Sequence, residues 1–465
     1  MLNNEYRSWA QEHFHYSLFN IRYSIFILHC SVFLVHYPFS ALVLRNINQS
    51  TSDLNAVRLT PPAGSVRATI PLASSKSESN RALIINALTN FRGTLHNVSA
   101  ARDSQTMIRL LQSDDPVADV LDAGTTMRFL TAYYAVTGQY KTLTGTPRMC
   151  ERPIGILVDA LRALGADIDY LKNEGFPPIA TKGFSRNGTN RLAIRGDVSS
   201  QYISALLMVA PILPDGLTLE LTGDIGSRPY IEMTLRQMEH FGVHTLVDWP
   251  NKTISVPPTP YSPADYTVES DWSGASYWFS MLALAEDESS EIELLGLKEA
   301  SLQGDSAIVD IMRPLGVEST FNATGVVLTK TQAQPSLAWD FTDCPDLAQT
   351  VAVCCAVKGI PLTLTGVESL KIKETDRIFA LQTELRKIGA ELVEVEKNTR
   401  YEVRKTATID AIPTFDTYDD HRMAMAFAPV SMRQEVVIEE PGVVAKSYPS
   451  FWDDMARVAG VQFEK

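Results

Sequence analysis

From Val57 onward the chain alternates between two hydrophobic periods. Apolar residues three and four apart read as helices, and shorter runs alternating at every second residue read as strands. Ser75 followed by Glu78 has the form of a capping box, which predicts a helix starting at Lys76. Leu83, Ile84, Ala87 and Leu88 give that helix an apolar stripe. Four later segments, 161–166, 238–243, 312–317 and 385–390, end an amphipathic helix in Gly followed by Ala or Val and continue as a strand. Their glycines, Gly165, Gly242, Gly316 and Gly389, stand where a helix stops, at spacings of 77, 74 and 73. The pattern predicts a βαβαββ module of about 70–75 residues, of which the region from Val57 accommodates six. The 103–112 helix and the 418–455 region read as two degenerate copies.

Several predicted helix starts carry hydroxyls and cations. Lys76 and Ser77 fall in a first turn, with Arg81 one turn on and on the same face. Gly124, Thr125 and Arg128 repeat the arrangement, and Ser199, Ser200 and Gln201 open the apolar run 202–209. Gly226, Ser227 and Arg228 precede Pro229 and Tyr230, with Pro at a position where its missing N–H costs little. Lys373 to Arg377 and Asp419 to Arg422 open two more. One such start is an ordinary cap, but six suggest helix N-termini converging on polyanionic ligands.

Composition narrows the class. The 465 residues are 45% hydrophobic and 20% charged, as in ordinary globular proteins, and predict two domains. A net charge of −13 argues against a nucleic-acid partner, and requires that anionic ligands be drawn by a local cationic cluster. Five cysteines (Cys30, Cys150, Cys344, Cys354, Cys355) lack zinc-ligand spacing and fit reduced thiols in a cytoplasmic protein, with Cys354 and Cys355 in the core. Residues 1–55 differ from the rest, with no acidic residue between Glu12 and Asp53 and an apolar stretch at 24–44. His29 and His36 interrupt that stretch and Arg22 precedes it, so a membrane anchor is not expected and the segment reads as an atypical extension.

Seven motifs together resemble the 5-enolpyruvylshikimate-3-phosphate synthase family of enolpyruvyl transferases. They are Ser-Lys-Ser-x-Ser-Asn-Arg (75–81), Ala-Gly-Thr-x-Met-Arg (123–128), Pro-Arg-Met-x-x-Arg-Pro (147–153), Ser-Ser-Gln (199–201), Lys-Glu-Thr-Asp-Arg (373–377), Asp-His-Arg-Met-Ala-Met (420–425) and Ala-Lys-Ser-Tyr-Pro (445–449). The resemblance covers about 56–465. It implies an α/β fold, a two-lobed inside-out barrel in which each lobe has three βαβαββ modules with helices inside and sheets outside. One lobe is expected to join 56–75 to 269–465, and the other to span 76–268. Pro257, Pro258, Pro260 and Pro263 lie where a linker between lobes is expected.

The implied reaction moves the enolpyruvyl group of phosphoenolpyruvate to the 5-hydroxyl of shikimate-3-phosphate, by addition and then elimination of phosphate. It needs cations for two phosphates and two carboxylates, a proton donor at the methylene carbon and a base near the hydroxyl. By motif match, phosphoenolpyruvate falls to Lys76, Gly124, Arg128, Arg148, Arg377, Arg422 and Lys446. Shikimate-3-phosphate falls to Lys76, Ser77, Arg81, Ser199, Ser200, Gln201, Ser227, Tyr230, Asp346 and Lys373. Lys76, Asp346 and Glu374 are the expected catalytic residues, with Glu374 serving the methylene carbon and Asp346 the hydroxyl; His421 is an orienting or relay candidate. Asp343 reads as a helix cap before Pro345. No metal or other cofactor is implied, and a monomer is expected.

Three positions depart from the family pattern. Asp122 stands where Asn is usual, which adds negative charge beside a proposed anion site and puts donor affinity in doubt. Ser369 also replaces a usual Asn, and Ala73-Ser74 replaces Pro-Gly. The nearest rival, a UDP-N-acetylglucosamine enolpyruvyl transferase, places its cysteine in a Gly-Gly-Cys loop, whereas Cys150 here lacks the glycines. An inactive anion-binding homologue is the other alternative.

Overall fold

A computed structural model describes residues 55–197 and 199–465; the expected extension at 1–55 lies outside these residues apart from Asn55. The described residues form five four-stranded sheets and one two-stranded sheet. One sheet shows how the module is built. Val117–Asp119 runs parallel to Tyr140–Thr144, and Ile179–Phe184 then pairs antiparallel with both Tyr140–Thr144 and Ala166–Tyr170. A helix follows each of the first two strands and a hairpin closes the unit, which is the predicted βαβαββ order. The pattern recurs in the sheet from Arg191–Arg195 to Thr253–Val256 and in that from Leu337–Asp340 to Arg400–Lys405.

Two sheets borrow a strand from far away in sequence. Arg67–Ile70 runs parallel to Glu291–Leu295, so one module starts before residue 76 and resumes after residue 268. Val436–Glu439 and Gly460–Glu464 both pair with Ala56–Thr60, which lies between them. The 418–455 copy is therefore complete, contrary to expectation, because its missing strand comes from the start of the described chain. The copy holding the 103–112 helix is the reduced one, with only Leu95–His96 beside Tyr266–Thr267.

Two hydrophobic cores hold these units. One gathers Val57 to Leu72 and Trp272 to Val458; the other runs from Ala82 to Val268. The second packs helices α1 (Lys76–Leu88), α2 (Arg102–Leu111), α3 (Gly124–Val136), α4 (Gly155–Leu164), α5 (Ser200–Val209) and α6 (Arg228–His240). The first packs α7 (Trp272–Leu284), α8 (Ile308–Met312), α9 (Ala348–Lys358), α10 (Arg377–Glu384), α11 (His421–Phe427) and α12 (Phe451–Met455). Helix α7 is buried continuously from Gly274 to Leu284, while Glu291–Leu295 alternates between covered and exposed positions. Helix α1 is also buried on every side from Glu78 to Ala87, so its apolar stripe is only part of what it covers. Gly165, Gly242, Gly316 and Gly389 all take positive φ at helix ends, as predicted.

The chain passes between the cores at 73–75 and again at 269–271. These passages bind each other: Ser74 and Ser270 form a β-bridge, Ser75 N donates to Glu269 O at 2.9 Å, and Asp271 N donates to Ala73 O at 2.8 Å. The proline-rich stretch is not the linker, since Tyr261 is buried in the second core and its hydroxyl donates to Met208 O at 2.9 Å. The predicted capping box is half formed. Ser75 Oγ accepts from Glu78 N at 3.4 Å, but the Glu78 carboxylate turns away to the Tyr266 hydroxyl and to Glu269 N at 3.2 Å.

Candidate active site

Six helix starts bring polar groups to the region between the cores. Ser75 caps α1, Ser199 caps α5, Asp376 caps α10 and Asp420 caps α11 through side-chain oxygens. Helix α3 starts at Gly124 and α6 at Arg228, with Ser227 in the left-handed region at φ 54°. Lys373 and Glu374 precede the Asp376 cap instead of lying in the helix, so their side chains leave from a turn.

On the first core, one guanidinium organises three carboxylates. Arg377, 1% exposed, reaches Asp420 at 2.7 Å, Glu374 at 2.9 Å and Asp346 at 3.0 Å. Arg422 holds the other Asp346 oxygen at 2.9 Å, and Lys373 stands 3.6 Å from Asp346. Burial alone would raise the Asp346 carboxyl, but Arg422, Lys373 and Arg377 outweigh it and hold it far below the ordinary range. Burial of Glu374 is outweighed in the same way by Lys446, Arg377 and Arg152. Both carboxylates are therefore ionised before any ligand arrives.

On the second core, the cations are less compensated. Arg81 donates to Thr234 Oγ1 at 2.7 Å, Ser77 O at 2.8 Å and Ser204 Oγ at 3.2 Å, and lies over the Phe129 and Tyr230 rings. Arg128 donates to Gly124 O at 3.0 Å and Pro153 O at 3.2 Å. Among the described residues neither has a carboxylate partner. Burial pulls Arg81 down to about 10, and burial together with neighbouring Arg152 does the same to Arg128. Lys76 is paired with Asp103 at 3.0 Å, and Gln201 Nε2 donates to Thr125 Oγ1 at 3.0 Å.

Contacts across the two sets complete the site. Lys446 meets Asp122 at 2.8 Å and Glu374 at 3.6 Å, Arg152 lies 3.9 Å from Glu374, and the Tyr230 hydroxyl donates to Asp305 at 3.3 Å. His421 is buried with both ring nitrogens lacking a hydrogen-bond partner among the described residues. Burial, then Lys76 and Arg422, keep its imidazole neutral.

The structure qualifies what was expected at Arg148, Gly124, Asp122 and Asp343. Arg148 sits at the rim, half exposed, paired with Glu151 at 3.3 Å and donating to Glu374 O at 3.3 Å. Arg152, in the same motif, is the cation that lies against Glu374 and Arg128. Gly124 does more than open the backbone, because a Cβ there would lie 2.8 Å from nitrogens of both Arg128 and Arg152. Asp122 is not a free charge: Lys446 and Arg102, the latter at 2.9 Å, outweigh its burial and hold it below its ordinary value. Asp343 does not cap its own turn, but accepts from Arg228 N of α6 at 3.3 Å. Asp103, Asp305 and Arg152, which the sequence reading did not single out, contact Lys76, Tyr230 and Glu374; only Arg152 carried a signal, its place in the 147–153 motif.

Ser77, Ser200, Ser227 and Lys373 all lie on segments entering this region, while Ser199 is exposed at the cap of α5. Among the described residues there is no His, Cys, Asp and Glu cluster that could hold a metal, and no helix long and apolar enough to cross a membrane. Cys354 and Cys355 are buried in the first core.

Opposed helix starts, buried guanidiniums and two ionised carboxylates define an enzyme that performs acid–base chemistry on small polyanions. The comparisons give the particular family. The model of EPSP synthase (3-phosphoshikimate 1-carboxyvinyltransferase) matches residues 111–455. A 3-phosphoshikimate 1-carboxyvinyltransferase of Bacteroides fragilis (strain YCH46) is 48% identical over 395 residues, which cover 84% of this chain and 95% of the relative. One of Idiomarina loihiensis is 36% identical over 435 residues, covering 87% and 99%. An EPSP synthase from Acinetobacter baumannii has a similar fold, with TM-score 0.68 at 17% identity over 88% of this chain and 100% of that one. The chain belongs to the EPSP synthase family.

Proposed function

We propose that this chain transfers the enolpyruvyl group of phosphoenolpyruvate to the 5-hydroxyl of shikimate-3-phosphate, in a cleft between two lobes. The lobes are 56–75 with 269–465, and 76–268, each an inside-out barrel of three βαβαββ modules, one module of the latter being reduced to a two-stranded sheet. The reading rests on one observation above all: Arg81 and Arg128 are buried guanidiniums without a carboxylate partner among the described residues. A buried charge left unpaired is costly, so these groups await anions supplied by substrates.

In this reading Arg128, Arg148, Arg377, Arg422, Lys446 and Lys76 hold the donor's phosphate and carboxylate, with Arg152 beside them. Ser77, Arg81, Ser199, Ser200, Gln201, Ser227, Tyr230 and Lys373 hold the acceptor. The acceptor oxygen bonds to the donor's C2 as its proton passes to Asp346, and the methylene carbon gains a proton from Glu374. The methyl group then returns a proton to Glu374, the bond between C2 and the phosphate oxygen breaks, and phosphate leaves with the proton that Asp346 had taken, which restores both carboxylates. Lys446 and Arg377 keep Glu374 ionised, but donor anions bound to them would cancel the charges that hold its proton affinity down. Residues 1–55 take no part; a chain starting at Asn55 should turn over like the full chain.

Phosphate release from phosphoenolpyruvate, measured with shikimate-3-phosphate and with UDP-N-acetylglucosamine as alternative acceptors, tests the reading. Release is expected with the first alone, and release with only the second overturns it.

A further inference from the structure

The turn Gly304–Ala307 belongs to the first core, yet it meets the start of α6 on the second. A Cβ on Gly304 would lie 2.7 Å from Pro229 Cβ, so glycine lets the turn seat against the first turn of that helix. Two backbone bonds tie the same end: Ser227 N donates to Thr342 O at 3.0 Å and Arg228 N to Asp343 Oδ1 at 3.3 Å. At the centre is Asp305, 1% exposed. One of its oxygens accepts from the Tyr230 hydroxyl at 3.3 Å, across the two cores, and the other accepts from the Ser273 hydroxyl on α7. Arg422 Nη2 in turn donates to Ser273 Oγ at 3.4 Å and to Asp346 at 2.9 Å.

We infer that Asp305 is a positioning residue for the acceptor: it fixes the Tyr230 and Ser273 hydroxyls in one orientation, and can do so only when the two cores are in contact. The inference rests on the proposed function, in which Tyr230 faces shikimate-3-phosphate. A carboxylate accepting two hydroxyls leaves their oxygens free to accept in turn from a sugar-like ligand's hydroxyls. Arg422 reaches the same Ser273, so Asp305 also couples the acceptor pocket to the Asp346–Arg422 pair.

The groups around Asp305 set how it responds to pH. Asp346 from the 345–347 turn and Asp271 at the cap of α7 face it with negative charge. Arg422 of α11 and the Ser273 hydroxyl oppose them, and Tyr230 from α6 contributes a hydroxyl that burial keeps protonated. Cys344 is pushed up to about 12 by burial and by Asp305 itself, so it stays a thiol. Burial first, then Asp346, raise the Asp305 carboxyl above its ordinary value. As pH falls, Asp305 takes its proton before an ordinary aspartate and stops accepting from both hydroxyls. Acceptor affinity is then lost on the acid side.

The test uses the purified full chain with Asp305→Asn, Tyr230→Phe, the double variant and Gly304→Ala. Asp305→Asn should raise KM for shikimate-3-phosphate roughly tenfold, about the worth of one hydrogen bond to a charged group, with KM for phosphoenolpyruvate unchanged. Tyr230→Phe should add little in the Asp305→Asn background, because the two act as one unit. The acid limb of kcat/KM for shikimate-3-phosphate should shift in Asp305→Asn, which a merely structural residue would not do. Gly304→Ala, with Asp305 intact, should produce the same selective rise in KM. Equal rises in both KM values, additive single variants or an unmoved acid limb overturn the inference. Should Asp305→Asn fail to fold, Tyr230→Phe and Gly304→Ala decide: a shikimate-3-phosphate KM indifferent to both overturns it. A wild-type chain that releases no phosphate with this acceptor overturns the proposed function and the inference with it, whereas an active wild type with indifferent variants overturns the inference alone.

Discussion

At the scale of single residues, the site is a contest between burial and neighbouring charge, and charge wins at both carboxylates. Glu374→Gln keeps the shape but cannot carry a proton. Its kcat should fall roughly 10²–10⁴-fold with KM values little changed, the range expected for a lost general acid; a variant keeping more than about a tenth of kcat would assign the proton elsewhere. Asp122→Asn should change KM for phosphoenolpyruvate by no more than a few-fold, since Lys446 and Arg102 already neutralise that carboxylate. Counting charges along the sequence put donor affinity in doubt instead, because a sequence shows which charges exist and not which are paired. The same limit hid Asp103 and Asp305, whose partners are 27 and 75 residues away. Motif order singled out Lys76, Arg81, Arg128, Asp346, Glu374, Arg377, Arg422 and Lys446 as the expected site residues. It singled out Arg148, which reaches Glu374 O from the rim, and passed over Arg152, four positions on, because only the turn at Met149–Glu151 decides which one faces inward.

At the scale of elements, helix starts and stops were readable because caps are local. Asp420 and Asp376 each accept the backbone N–H that a cap should. Asp420 also clamps Arg377, so Asp420→Asn should cost about 3 kcal/mol of unfolding free energy in urea titration. A loss below about 1 kcal/mol would show that Glu374 and Asp346 suffice to hold the guanidinium. Gly389→Ala tests the stop signals: φ is 68° and a Cβ would lie 2.2 Å from Ala407 O, so a loss of about 2 kcal/mol is expected. The Ser75–Glu78 box misled because its second half is local in sequence only; tertiary contacts with Tyr266 and Glu269 took the carboxylate.

At the scale of the molecule, residues from both cores meet through Lys446 with Asp122 and Arg152 with Glu374. These pairs are largely buried and little screened by salt, and shikimate-3-phosphate should draw the cores together. Small-angle scattering should show a smaller radius of gyration with that ligand. No change would mean that the cores do not move. The repeat was legible as a period, but not the strand exchange, because pairing over some 400 residues leaves no local trace. That exchange has a consequence in time. The second core is contiguous and can form while the rest is being made. The strand Ala56–Thr60 emerges from the ribosome early, and its partner Gly460–Glu464 follows only after some 400 more residues. At 5–20 residues per second the wait is roughly 20–80 s. During that time an apolar edge strand is on offer to any other unpaired strand nearby, which makes the last sheet the place where synthesis at high temperature or high expression should fail first.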